Sequence, residues 1–225
     1  MSASALKSRT KVLTTLFTLQ NKFGRTLEKI ITQEFITLLT QTQEAYRGQK
    51  IERPPAEAVV NALLQAEKAA KQQRLTYPFE SILGKWRLCF TTGTKKVKHR
   101  RGIKLGNGFY LPKFAAAHIC FSAAQDADKG EITNSVEFAS LRLKLTGPAK
   151  YLGKKNLLAF DFTQMQISLF SRTIYNGEIR GGKKKTEDFD NRPLSVLPFF
   201  AFFLVTPDLI AARGRGGGLA LWIRD

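Results

Sequence analysis

Apolar residues recur first at spacings of three and four and later at a spacing of two, and the change falls near residue 77. Over residues 10–45, Leu13, Leu16, Phe17, Phe23, Leu27, Ile30, Ile31, Phe35, Leu38 and Leu39 keep to one helix face. Gly24 interrupts them and marks a kink or a break into two helices. Glu52-Arg53-Pro54-Pro55 is a stop and restart. Pro55 suits the first turn of a second helix over roughly residues 56–73.

After Tyr77-Pro78 the alternation signals strands. From Gly84 to Thr92, Trp86, Leu88 and Phe90 are expected on one face, with Arg87, Cys89 and Thr91 on the other. Ile119 and Phe121 repeat the pattern, and Val136 and Phe138 continue it on even positions. Leu141, Leu143 and Leu145 then carry it on odd positions. A second slip separates Leu158, Phe160 and Phe162 from Met165, Ile167 and Leu169. A one-residue slip turns the apolar set to the wrong face unless a bulge absorbs it or a loop ends the strand. Bulged long strands suit a strongly bent sheet or a small closed barrel; loops would mean more and shorter strands. Gly216-Gly217-Gly218 leads into a last strand, Leu219–Arg224. The layout is two helices, then about seven or eight antiparallel strands, with no internal repeat. The expected organisation is an N-terminal helical extension over 1–76 and a β-domain over 77–225.

Composition adds three constraints. At 43% hydrophobic the chain buries a real core, and 17 Phe against 2 Trp and 2 Met suggest apolar volume to be filled or lined. The net charge is +18, and most of it lies late: residues 84–225 carry 24 Lys/Arg and 11 Asp/Glu. Such a field attracts polyanions, either nucleic acid or an anionic membrane surface. Only Cys89, Cys120, His99 and His118 are available for metal or disulfide chemistry, so no Cys/His metal centre or disulfide framework is expected. The cysteines read as buried, reduced thiols. The longest apolar stretch, Leu194–Val205, contains Ser195 and Pro198 and is too short to span a membrane. The N-terminus has no acid before Glu28 and resembles a transit peptide in composition. The helical pattern begins near Val12, which leaves little room for a removable leader.

Catalytic constellations are mostly absent. The chain has no nucleophile elbow, phosphate loop or dinucleotide fingerprint. Gly102-Ile-Lys-Leu-Gly-Asn-Gly reads as a turn, His99 as a loop residue and His118 as structural. Glu187-Asp188-Asp190 reads as a solvated loop offsetting Lys183, Lys184 and Lys185. The run Lys95, Lys96, Lys98, Arg100, Arg101 and Lys104 is expected in a loop after the first strand, where it suits anionic lipid or RNA phosphates. Arg213-Gly-Arg215-Gly-Gly-Gly218 reads as a tight turn with two anchoring arginines. Phe199, Phe200, Phe202 and Phe203 cannot all face one side of a strand, so some line a cavity, touch the helices or stay exposed.

Two motifs carry a resemblance. Leu83-Gly84-Lys85-Trp86-Arg87-Leu88-Cys89-Phe90-Thr91-Thr92 resembles the Gly-x-Trp opening strand of the plastid lipid-associated proteins, the fibrillins. Asp208-Leu-Ile-Ala-Ala-Arg213-Gly214 and the glycine-led last strand look like that family's close. The resemblance implies an α+β, mainly β fold: a lipocalin-like antiparallel barrel preceded by two N-terminal helices. It also implies association with thylakoids or lipid droplets, an apolar cargo such as a prenylquinone or carotenoid, no catalytic residues and no cofactor. The short N-terminal region suits a cyanobacterium-like or plastid-encoded member. Lipocalins share the Gly-x-Trp strand, and their Trp closes one barrel end under a terminal basic residue. The matching positions are Gly84, Trp86 and one of Arg213, Arg215 or Arg224.

The expected apolar lining is Trp86, Phe90, Phe138, Phe160, Phe162, Phe199, Phe200 and Phe203, with Arg213. The expected anion-contact set is Lys95, Lys96, Lys98, Arg100, Arg101, Lys104 and Lys183–Lys185. The competing readings are an RNA- or ribosome-binding basic protein and an accessory subunit of a prenylquinone-synthesis enzyme.

Overall fold

The computed structural model describes residues 34–97, 102–124, 128–179 and 181–225. The expected helix positions before residue 34, and Lys98, His99, Arg100 and Arg101, lie outside them. Helix α1 is described over residues 34–47, and α2 spans Ala56–Gln73. Among the described residues eleven strands follow: β1 (Gly84–Val97), β2 (Gly102–Tyr110), β3 (Ala115–Ala123), β4 (Lys129–Phe138), β5 (Leu141–Leu152), β6 (Leu157–Phe160), β7 (Gln164–Leu169), β8 (Arg172–Glu178), β9 (Phe199–Val205), β10 (Leu209–Gly214) and β11 (Leu219–Arg224). A short helix, α3 (Gly182–Glu187), lies between β8 and β9.

Eight strands close into an antiparallel barrel in the order β4-β3-β1-β11-β10-β9-β6-β5, with β5 pairing back onto β4. Strand β2 hangs from the far half of β1, and β7–β8 from the near half of β5. The count exceeds the expected seven or eight because both phase slips are connections between strands. Ala139-Ser140 is a two-residue hairpin turn joining Phe138 to its partner Leu141, and 161–163 separates β6 from β7. Register shifts lie elsewhere, and the one that redirects β1 is between Leu88 and Phe90. There β1 stops pairing with β3 at Arg87 and takes up β2 from Phe90 onward. Gly102–Gly108 is therefore strand rather than turn. Its glycines allow close approach: a Cβ on Gly108 would come within 2.1 Å of the Phe90 ring.

Two apolar cores lie on opposite faces of the wall. The outer one joins α1 and α2 to the barrel: Phe35, Leu39, Tyr46, Val59, Leu63 and Ala66 pack on Cys89, Phe90, Phe203, Leu219 and Leu221. The buried α2 positions Val59, Ala62, Leu63, Ala66 and Ala70 repeat at three and four, as the helix period requires. Glu67 lies on that stripe and is held by Arg213, whose Nε donates to Oε1 at 2.9 Å and whose Nη2 donates to Oε2. Lys71 also donates to Oε1, at 3.0 Å. The inner core fills the barrel base with Phe79, Ile82, Trp86, Phe121, Ile132, Tyr151, Phe202, Ile210 and Trp222.

Candidate functional site: an apolar cup with one open end

The barrel has a sealed end, built on β1. Gly84 has φ +111°, a conformation that favours glycine, and it brings Trp86 under the last strand. The Arg224 guanidinium lies 3.9 Å from the Trp86 ring centroid and donates to Leu83 O at 3.1 Å and to Pro207 O. The indole N–H donates to Ile82 O at 2.8 Å. Of the three arginines that the sequence left open, Arg224 is the one over the tryptophan. Asn156 sews the α2–β1 connection to the same end: its Nδ2 donates to Leu75 O at 2.7 Å and its Oδ1 accepts from Tyr77 N at 2.9 Å. The Tyr151 hydroxyl donates to Tyr77 O at 2.9 Å, and burial pushes its pKa up to about 12.

Above the seal the interior is filled by the chain's own rings. Phe160 stacks on Phe200 at 5.0 Å and meets Phe162 at 5.3 Å. Phe200 packs edge-on against Trp222 at 5.3 Å, and Phe121 likewise against Phe202 at 5.9 Å. Trp86, Phe160, Phe162 and Phe200 thus all face inward, where they form a packed floor.

The wall continues beyond the floor. Along β4 the inner face runs from fully buried Ile132 through Asn134 and Val136 to Phe138, which is 56% exposed. Along β5 it runs from buried Tyr151 and Ala149 through half-buried Leu145 and Leu143 to Leu141, 45% exposed. Leu145, Leu143 and Leu141 pair with Met165, Ile167 and Leu169 of β7, so directly opposed side chains share the face. The opposite face of these strands is polar: Glu131, Thr133, Ser135 and Glu137; Arg142 and Lys144; Gln164, Gln166 and Ser168. The result is a cup whose lining becomes progressively uncovered towards one end.

Several expected lining residues lie elsewhere. Phe90 packs on the helices because the bulge at Cys89 turns the phase of β1; it meets Tyr110 edge-on at 5.1 Å. Phe199 and Phe203 alternate with Phe200 and Phe202 and so face outward, Phe199 towards Phe189 and Leu197, Phe203 towards α2. Arg213 follows inward-facing Ala212 and points out to Glu67. Phe138 stays on the inner face, at the rim. Sequence reasoning missed Phe121, Phe202 and Trp222 in the floor and Leu143, Leu145, Met165 and Ile167 in the wall. Their signal was the same alternation that located the strands.

The basic run is strand, not loop, at its two ends. Lys95 pairs with Lys104 and Lys96 with Ile103 in the β1–β2 hairpin. The register carries β1 from the seal at Gly84 and Trp86 past the level of Ala115 and Phe138, so this hairpin leaves the barrel at the open end. Lys183–Lys185 lie on α3. The glycine-rich Arg213–Gly218 segment is a tight turn, with Gly214 N donating to Gly218 O at 2.9 Å and Arg215 Nη1 donating to Leu197 O at 3.1 Å. Asp190 pairs with Lys129 at 2.8 Å, and no group of three or more metal-ligating side chains occurs among the described residues. Cys89 is buried and Cys120 half-buried, and both are free thiols. No helix among the described residues is long and apolar enough to cross a membrane.

No curated protein and no solved structure matches the chain significantly. A family model does, over residues 33–165, which covers α1, α2 and the barrel strands as far as the start of β7. That match spans more than half of the chain and includes the motif at Gly84–Thr92: the chain belongs to the PAP/fibrillin family, the plastid lipid-associated proteins.

Proposed function

We propose that this protein is a non-enzymatic lipid-associated binder that holds an apolar molecule, prenylquinone- or carotenoid-like, in the open half of the cup at a thylakoid or lipid-droplet surface. The observation that carries this reading is the inner-face apolar wall that loses its cover towards Leu141 and Phe138. Small barrels hold one apolar ligand in this way, and a half-covered apolar surface gains free energy when a greasy molecule replaces water on it. The aromatic floor sets the depth, and Leu143, Leu145, Met165 and Ile167 form the wall. The Lys95–Lys104 hairpin supplies attraction to anionic lipid, at about 1 kcal/mol for each basic residue near the leaflet.

Ile167→Asp tests the binding half. It puts a carboxylate on the wall without touching the floor. Binding of an apolar fluorophore should fall at least tenfold while the circular dichroism stays unchanged; undiminished binding would remove β7 from the site. For the docking half, vesicles containing phosphatidylglycerol should retain the protein at low salt and release it as ionic strength passes about 0.15 M. Equal retention on pure phosphatidylcholine would contradict an electrostatic anchor.

A further inference from the structure

The apolar wall of the cup runs on past its rim, out to Phe114 and Phe170. Phe114 is 71% exposed and packs edge-on against Phe138 at 5.9 Å. Phe138 pairs with Leu141, Leu141 with Leu169, and Phe170 follows, 75% exposed. These five residues run without a break across the tips of the β4–β5 and β7–β8 hairpins. The two tips are tied together, since Phe170 N donates to Ser140 O at 3.0 Å.

Phe170 also sits in an unfavourable backbone conformation. It and Ser171 form the β7–β8 turn with φ +46° and +63°. Two-residue turns of this kind favour Asn-Gly, because a bulky side chain at positive φ is strained. A phenylalanine that is both strained and in water costs stability twice over. Such costs collect at sites of function.

Resting on the proposed lipid association, we infer that this rim is the surface that enters the lipid: the protein docks mouth-down, with Phe114, Phe138, Leu141, Leu169 and Phe170 below the headgroups. Charge complementarity identifies the occupant. Arg172 is exposed next to the β7–β8 tip, Arg142 is exposed next to the β4–β5 tip and paired with Glu137 at 2.8 Å, and the hairpin bearing Lys95, Lys96 and Lys104 leaves the barrel at the same end. An apolar edge bordered by basic segments of the chain fits an anionic leaflet, where basic residues meet headgroups and the rings meet acyl chains. In this orientation the open wall is continuous with the lipid interior, so an apolar molecule passes between cup and membrane without crossing water.

Phe170→Asn separates this role from a structural one. Asparagine accepts positive φ and does not insert, so Tm should rise while affinity for phosphatidylglycerol/phosphatidylcholine vesicles falls tenfold or more. Fluorophore binding in lipid-free buffer should stay unchanged. A fall in Tm together with unchanged vesicle affinity would overturn the assignment. In a second measurement, the indole of a Phe170→Trp variant should shift its emission to the blue and be quenched by brominated lipids, whereas that of Leu75→Trp at the sealed end should do neither. Vesicle binding by the Phe170→Trp variant with emission still as in water would refute mouth-down docking and leave lipid association standing. Failure of the wild-type chain to bind either vesicle would overturn both. Concentration-dependent dimerisation lost in Phe170→Asn, with no lipid insertion, would assign the rim to a second copy of the chain instead.

Discussion

Gly84→Ala should unseal the closed end of the barrel. A Cβ at this position would lie 2.8 Å from Arg224 Nη1, on a residue whose φ of +111° already disfavours any side chain. The backbone strain costs about 1–3 kcal/mol. The guanidinium must also yield. It then loses its place over Trp86, about 0.5–1 kcal/mol or more where desolvated, and the bond to Leu83 O, about 1 kcal/mol. The sum is about 2.5–5 kcal/mol, and in a chain of this size about 1 kcal/mol moves Tm by roughly 2–4 °C, so a loss on the order of 10 °C is expected. The assay is thermal unfolding followed in the near-ultraviolet, where Trp86 and Trp222 report. The decisive version is a double-mutant cycle. In an Arg224→Ala background the same glycine substitution should cost only the strain, leaving a coupling of about 1–2 kcal/mol. Additive single costs would refute the claim that Gly84 exists to admit Arg224 over Trp86.

Three further predictions concern the outer wall. Glu67→Ala leaves Arg213 half-buried without its carboxylate and should cost about 2–3 kcal/mol in denaturant unfolding, less than a fully buried pair would because Arg213 keeps some solvent. Hydrogen bonds from Arg213 hold the Glu67 carboxyl below its ordinary value of 4.5, so its contribution is present at neutral pH and drains away as pH falls through the depressed pKa; Glu67→Gln should flatten the stability profile in that acid range. Burial pushes the Cys89 thiol up to about 12, and its Sγ donates to Leu221 O at 3.3 Å, so alkylation at neutral pH should label it only after unfolding. Fast labelling in the native state would contradict the packing of α1 and α2 over β1.

How far this architecture was readable depended on what each residue reports. Gly84, Trp86 and the alternation after them located the first strand, because a half-buried strand has to alternate. The bulge left no trace: Arg87, Cys89 and Thr91 read as one polar-leaning face in either geometry, and so Phe90 was assigned to the interior. The slips at 139–140 and 161–163 were visible as changes of phase, but a phase change looks the same for a bulge and for a turn. Phe199–Phe203 showed that rings must split between faces and not which way, since that is set by the pairing of Ala212 with Phe202. Three arginines competed for Trp86 because cross-strand register, here Trp86 opposite Arg224, is a tertiary property. The rim was hidden for a related reason. Alternation tells which face Leu141, Leu143 and Ile167 occupy, but not that the neighbouring strands end there and leave the face uncovered.

The proposed function requires an apolar molecule against the wall formed by β5 and β7, above the ring floor. A prenyl-chain analogue carrying a diazirine, photolysed with the protein and mapped by peptide mass spectrometry, measures this directly. Adducts should concentrate on residues 141–145 and 165–169 and be suppressed by Ile167→Asp. Adducts confined to the groove between α2 and β9, around Arg74, Leu75 and Phe203, or spread evenly over the surface, would contradict it.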